Sequence, residues 1–400
     1  MTKSVVTAGS EPQDPVRALH DWGAHQRATE PVIFDPGSGA WHVFSYEGAN
    51  RVLTDRLAYS SEFPSEISVN DDLIDGNFAL LDPPRHNRLR GVVSNRFTAS
   101  AIGALRTEVD RVASTLLDEL SGTEGVDFVD EFAYRLPATV IASVLGLPVA
   151  DVPLFKQWSF AQRRGKRTRS VEHDAPDDIT GTVLSPMREY LLDQLAQRRA
   201  APKDDLITEL AEASVDGVPL SDDEIAGFLR LLLTGGDLTT CSLLTSAVLC
   251  FDEHPGLLGR LRPDTAKIES AVEEIARCRP PFARAARWST VDTELDGVRI
   301  PAGQMVIPWI ISANRDERRF VDPDRFDVTR EPNPHLSFGR GVHFCLGVHL
   351  AKLEATRAIV HLASRFHEIS VRRDAPLRHF DPAGGVLALE ELTVDFTVRR

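Results

Sequence analysis

Residues 335–366 read HLSFGRGVHFCLGVHLAKLEATRAIVHLASRF, and the fold is decided at their centre. Apolar residues recur there at helical spacing, which predicts an amphipathic helix starting at Cys345 and running to about Phe366. A thiol in the first turn of such a helix meets the positive end of the helix dipole, so its thiolate is favoured. Gly339 and Gly341 let the preceding loop turn tightly and bring backbone N–H groups toward the sulfur. Hydrogen bonds to a ligating sulfur tune the metal it holds. An isolated cysteine is usually a small buried hydrophobe. One preceded by FGRGVH and followed by Leu-Gly is more particular. A zinc reading also stands: His343, Cys345 and His349 are ligand types, and Cys345 and His349 lie one helical turn apart.

Upstream, residues 221–256 read SDDEIAGFLRLLLTGGDLTTCSLLTSAVLCFDEHPG. Ser221 with Glu224 forms a capping-box pattern, and His254-Pro255-Gly256 is a stop signal. A helix of roughly 30 residues and roughly 45 Å is expected between them. It is apolar on nearly every face and is expected to cross the protein's centre. Its middle nevertheless holds Gly235, Gly236, Asp237, Thr239 and Thr240. Glycines there cost roughly 1 kcal/mol each against alanine and thin the helix on one side. Either another helix crosses at this point, or a flat ligand lies against the glycines with a hydroxyl beside it.

Strand signals are few: a turn at Asp35-Pro36-Gly37-Ser38-Gly39, a hairpin at Asp296-Gly297, and the extended LALEELTVDFTV near the C-terminus. Helical period dominates elsewhere, as in AIGALRTEVDRVASTLLDEL and TAKIESAVEEIARC. The expected class is mainly α with small β-sheets. The 400 residues carry a net charge of −14 and no long basic block, which argues against nucleic acid as a partner. Length alone allows two or three domains. Four cysteines are too few for a disulfide framework. No secretory leader and no run near 18 apolar residues is seen, so no membrane is expected and the location is read as cytoplasmic. Residues 1–14 are polar and read as disordered.

Phe338-Gly339-Arg340-Gly341-Val342-His343-Phe344-Cys345-Leu346-Gly347 resembles the haem-binding signature F-x-x-G-x-(R/H)-x-C-x-G of the cytochrome P-450 superfamily, matching every defining position. Glu274-Ile275-Ala276-Arg277 matches the E-x-x-R motif of that family. Pro323-Asp324-Arg325-Phe326 resembles the segment supplying the third member of its Glu–Arg–Arg network, with Arg325 preferred and Arg330 second. Residues 82–90, DPPRHNRLR, resemble the bacterial D-P-P-x-H-x-x-x-R helix start. The resemblance covers about residues 14–400. It implies a single haem-binding cytochrome P-450 domain over 15–400, with haem b (iron protoporphyrin IX) between the long distal helix and the Cys345 helix.

The resemblance further implies that Cys345 is the thiolate ligand of iron, which favours O–O cleavage. It assigns His86, Arg90, Arg287 and His343 to the haem propionates, and makes Phe338 and Gly347 part of the cofactor cradle. The distal pattern (A/G)-G-x-(D/E)-T-(T/S) maps onto Gly235-Gly236-Asp237-Leu238-Thr239-Thr240. Thr239 then helps deliver protons to O2, the co-substrate. Leu238 stands where the family has an acid, and Asp237 lies about 100° round the helix. A water chain, a substrate group or Asp237 itself can take that place. Ile67, Val69, Leu73, Ile74, Phe78, Phe282, Ala283, Ala285, Val386 and Leu387 are expected around an apolar or aromatic small-molecule substrate.

The expected reaction is oxygen insertion from O2, possible in secondary metabolism, with electrons from a separate ferredoxin and ferredoxin reductase. No flavin or iron–sulfur segment is present. Arg85, Arg88, Arg340 and Lys352 are expected to dock an acidic ferredoxin. Arg163, Arg164, Lys166, Arg167 and Arg169 fall where the family has its lid. They read as a solvated helix end, or as a contact for an anionic or carrier-protein-bound substrate. Leu238 also motivates peroxide-driven or non-hydroxylating chemistry, or a haem binder without turnover.

Overall fold

A computed structural model of the chain describes residues 15–64, 75–120, 122–164, 183–262, 264–374, 376–380 and 385–399. The expectations for residues 1–14, for Ile67, Val69, Leu73 and Ile74, and for Lys166, Arg167 and Arg169 fall outside the described residues.

Helices α1 (Pro15–Thr29) and α2 (Tyr46–Thr54) flank strands β1 (Val32–Asp35) and β2 (Ala40–Val43), and β3 (Tyr59–Ser60) follows. Next come α3 (Arg85–Ser94), α4 (Ala99–Ala104), α5 (Arg106–Glu119), β4 (Val126–Asp127), α6 (Arg135–Leu145) and α7 (Val152–Arg164). Helices α8 (Ser185–Ala200) and α9 (Leu206–Glu212) and strands β5 (Ser214–Val215) and β6 (Val218–Pro219) lead into α10 (Asp222–Glu253). After it run α11 (Leu257–Leu261), α12 (Thr265–Cys278), β7 (Arg287–Ser289), β8 (Thr293–Leu295), β9 (Val298–Ile300), β10 (Met305–Pro308) and α13 (Ile310–Ala313). Helix α14 (Val348–Arg365) and strands β11 (Phe366–Val371) and β12 (Thr393–Val398) follow.

The two larger sheets stand beside the helices, in the orders β1-β2-β10-β7-β3 and β11-β12-β4, and β5-β6 and β8-β9 form two-stranded pairs. The first turn forms because the Asp35 carboxylate accepts the N–H groups of Gly37 (3.0 Å) and Ser38 (3.2 Å), folding β1 antiparallel onto β2. Strand β10 then lies parallel to β2, with Ala40 opposite Met305 and Val43 opposite Pro308. At the second hairpin Asp296 and Gly297 both take positive φ, 47° and 79°, the geometry of a two-residue turn between β8 and β9.

Helix α10 is the spine. Its capping box is complete: Ser221 Oγ accepts the Glu224 N–H (3.1 Å) and Glu224 Oε2 accepts the Ser221 N–H (3.0 Å). Its 32 residues span about 48 Å. Helices α6, α8, α12 and α14 pack around it, which is why its apolar residues encircle it. It is long and apolar enough to cross a membrane, yet most of it is buried inside the fold. Helix α14 begins at Val348, three residues after Cys345, so the cysteine sits in the approach to the helix rather than in its first turn.

Candidate active site

The approach to α14 is built by its backbone. Gly339 and Gly341 adopt φ of +69° and +67°, and the chain folds back so that the Cys345 N–H donates to the Phe338 carbonyl (2.8 Å). The Gly347 N–H points at the sulfur, and the charges of Arg90 and Lys352 act in the same direction, favouring the thiolate. Burial outweighs all three and pushes the thiol up. The expected thiolate is thus favoured by three groups and opposed by burial, and the sulfur suits a site whose charge is completed by a cation. Cys241, Cys250 and Cys278 are buried thiols that burial also pushes up, in keeping with packing.

Beside this loop lie the groups expected to hold carboxylates. His86, on α3, is 1% exposed; its Nδ1 meets Asn87 Oδ1 (2.9 Å), and its Nε2 has no partner among the described residues. The His343 ring sits 4.4 Å from it, with His343 Nε2 on Ser61 Oγ (2.9 Å). Burial, then Arg287 and His86, lower the His343 pKa to about 3, and burial also lowers His86. Arg90 Nη1 donates to the Val342 carbonyl (3.2 Å), and Arg287 Nη1 to the Ala286 carbonyl (2.7 Å). Burial depresses both guanidiniums, so each is held charged at a cost. A buried imidazole nitrogen without a partner, among desolvated cations and next to a cysteine, fits the carboxylates and iron of haem. By contrast, no group of three His, Cys, Asp or Glu among the described residues is placed to hold a metal ion, so the His343–Cys345–His349 zinc reading gains no geometry.

On α10 each glycine takes one of the two expected readings. A Cβ at Gly236 would meet Ile141 Cγ1 of α6 at 3.1 Å, which is a helix crossing. A Cβ at Gly235 would meet nothing within 4 Å, which is open space for a ligand. Thr239 stands on that open side, its Oγ1 donating to the Gly235 carbonyl (2.7 Å). Leu238 is buried.

Asp237 is fully buried and taken up elsewhere. Its Oδ2 accepts the hydroxyls of Tyr134 (2.9 Å) and Ser159, and its Oδ1 accepts the Leu238 N–H. The Arg163 charge on α7 favours its ionised form, but burial dominates and raises its pKa. It ties α10 to α7 and to the start of α6, and does not address Thr239.

Sequence reasoning missed a second buried acid. Glu354, on α14, is 1% exposed; burial pushes its carboxyl far above the usual range, and the nearby Thr240 hydroxyl acts against that rise. Its Oε1 has no partner among the described residues. A signal existed: Glu354 sits in the i,i+4 stripe Leu350, Ala358, Leu362, all buried.

The Glu–Arg–Arg network needs one correction. Arg277 Nε and Nη2 grip Glu274 (both 2.8 Å), and the third member is Arg330, with Nε at 3.2 Å from Glu274 Oε1. Arg325 instead turns outward to Asp327 (3.0 Å) and offers only its carbonyl to Arg277 and Arg330. Of the expected pocket wall, Ala283, Val386 and Leu387 are buried in the core, and Phe78 packs against Phe228 beside His86. Phe282 remains exposed. Arg85, Arg88 and Lys352 pair with Glu224, Asp216 and Glu273, and Arg340 donates to the Pro334 carbonyl (3.0 Å).

A family model described as Cytochrome P450 matches residues 154–395. The chain is 41% identical over 372 residues to erythromycin C-12 hydroxylase of Saccharopolyspora erythraea, with 91% of each covered. It is 36% identical over 387 residues to cyclomarin C epoxidase CymV of Salinispora arenicola, covering 94% and 96%. Among solved structures, a mutant of P450 EryK in complex with erythromycin B superposes with a TM-score of 0.85 at 40% identity, covering 95% and 96%. CYP109E1 from Bacillus megaterium in complex with testosterone gives 0.88 at 31% identity, covering 96% and 99%.

Proposed function

The chain belongs to the cytochrome P450 family, and from that premise we propose that it oxygenates a largely apolar small molecule of secondary metabolism, with Glu354 as its proton store. It is a haem-dependent monooxygenase that uses haem b and O2. When bound, haem supplies the oxygen-activating chemistry. In our reading the Cys345 sulfur holds its iron, while His86 Nε2, Arg90, Arg287 and His343 hold its carboxylates. Phe338 and Gly347 shape the cradle through the Cys345 N–H and the sulfur respectively.

The distal face follows from the two acids. Leu238 cannot carry a proton, and Asp237 is occupied by Tyr134 and Ser159. Burial favours the protonated form of Glu354, and Thr240 lies beside it on the helix that carries Thr239. In this reading Thr240 Oγ1 accepts the Glu354 proton as it releases its own hydroxyl proton, and a water or a substrate group carries that proton on to Thr239, which lies about 100° round α10 from Thr240. The observation that carries this reading is the orphan Oε1 of a fully buried acid, beside Thr240, whose burial favours the protonated form. Electrons come from a ferredoxin and its reductase, and a cytoplasmic setting suits the four unpaired thiols.

The relatives act on erythromycin and cyclomarin C by their names, and the steroid complex shows an apolar body in a similar fold. The test is a panel of macrolides, cyclic peptides and steroids offered to the haem-loaded protein with a surrogate ferredoxin and reductase. A spin-state shift and a product heavier by one oxygen atom are expected from at least one class. Absence of both across the panel overturns the substrate reading. Leu238 favours a second reading, peroxide-driven turnover, which would show as faster product formation with hydrogen peroxide than with O2 and reductase.

A further inference from the structure

Helix α12 carries two glutamates in succession, and they do different work. Glu274 is consumed by Arg277 and Arg330. Glu273 lies about 100° further round the helix and faces the cysteine loop. Its Oε1 is 2.5 Å from Lys352 Nζ of α14, and its Oε2 is 3.0 Å from His335 Nε2. The Ser337 N–H donates to His335 Nδ1 (3.2 Å), which fixes the ring proton on Nε2 and aims it at Glu273. His335 and Lys352 together hold the Glu273 carboxyl below its ordinary range, so it is ionised.

Both groups that Glu273 holds pack on one ring. Lys352 Nζ stands 5.2 Å from the centroid of Phe338, and the His335 ring stands 5.8 Å from it at 46°. The carbonyl of Phe338 is the acceptor of the Cys345 N–H. Lys352 is also one of two cations whose charge reaches the Cys345 sulfur. A lysine side chain 37% exposed would otherwise sample many rotamers. Glu273 fixes it at one place and cancels part of its charge there.

We propose that Glu273, by holding Lys352 and His335 against Phe338, is a positioning residue that sets the electron-donating strength of the Cys345 sulfur and so the reduction potential of bound haem. This rests on Cys345 holding the haem iron. Charge near a thiolate ligand shifts the ferric–ferrous balance, because a positive charge favours the more electron-rich ferrous form. Losing the cation therefore favours ferric haem, and losing the anion favours ferrous haem.

The experiment measures midpoint potentials of the haem-loaded protein by spectroelectrochemistry, with the ferrous–carbon monoxide band recorded in parallel. At the wild-type midpoint, Lys352→Met is expected to lower the ferrous-to-ferric ratio about two- to fivefold, and Glu273→Gln to raise it by a similar factor. The double variant returns near the wild-type ratio, and Lys352→Arg keeps it. Equal ratios in all variants, or single variants that shift in the same direction, overturn the proposal and leave Glu273 a packing residue. If a neutral single variant loses haem, the comparison is made with Lys352→Arg and Glu273→Asp; a ratio displaced about twofold or more by either charge-keeping variant overturns the proposal too. A wild-type protein lacking the thiolate–haem band would instead overturn the ligand assignment, so the two failures are distinguishable.

Discussion

The Cys345 loop and the centre of α10 face the same expected haem, and they are built by opposite means. The loop is made by backbone: two positive-φ glycines, the Cys345 N–H on the Phe338 carbonyl, and the Gly347 N–H on the sulfur. The α10 face is made by side chains whose partners come from other helices: Tyr134 and Ser159 for Asp237, Glu354 for Thr240. A backbone-built site is written in one contiguous motif. A side-chain-built site distributes its chemistry, so on our reading the acid that Leu238 does not supply comes from α14.

Three substitutions or titrations sharpen that contrast. The largest effect is expected from Glu354→Gln, which keeps the shape beside Thr240 but removes the acid. Product formed per reductant is expected to fall by up to about a hundredfold, the lower end of general-acid contributions, with oxygen reduced to peroxide instead. Unchanged coupling would return the relay to a water chain or a substrate group. Asp237→Asn is expected to act on stability, costing about 1–3 kcal/mol in denaturant unfolding as the Tyr134 and Ser159 hydroxyls lose a carboxylate acceptor. Its coupling should stay near wild type; a loss like that of Glu354→Gln would make Asp237 the relay acid.

The smallest effect is a pH dependence. The folded pKa of Glu354 lies well above 4.5, so folding favours its protonated form. Stability from this group is full below about pH 4.5 and is lost as pH rises toward the folded value. Glutamine stays neutral throughout, so the Tm of Glu354→Gln relative to wild type is expected to climb between about pH 5 and about pH 8. A flat difference would mean that the carboxyl is ionised in the fold.

Much of the fold was legible because its signals are local. The capping box at Ser221 and Glu224, the Asp296-Gly297 turn and the periodicity of α12 each lie within a few residues. The signature around Cys345 was legible for the same reason. Arg330 was not separable from Arg325, because the choice depends on how the turns between residues 322 and 330 aim two arginines at one buried carboxylate. Glu354 was legible in principle, as a charge on an apolar stripe, but its partner Thr240 is on another helix. Ala283, Val386 and Leu387 are buried, which suits a core and the wall of an enclosed pocket alike, and apolar residues in those two places look the same in sequence.

The parallel pairing of β2 with β10 has a consequence for synthesis. Residues 40–43 leave the ribosome early, yet their neighbours 305–308 follow only on the order of tens of seconds later, at about 5–20 residues per second. Until then the β1–β2 hairpin exposes an unpaired edge, a hazard for association with other nascent chains. The cysteine that would bind haem emerges later still. Cofactor loading and closure of the first sheet therefore belong to the last stage of folding, and slowing translation beyond residue 308 should affect haem incorporation more than sheet formation.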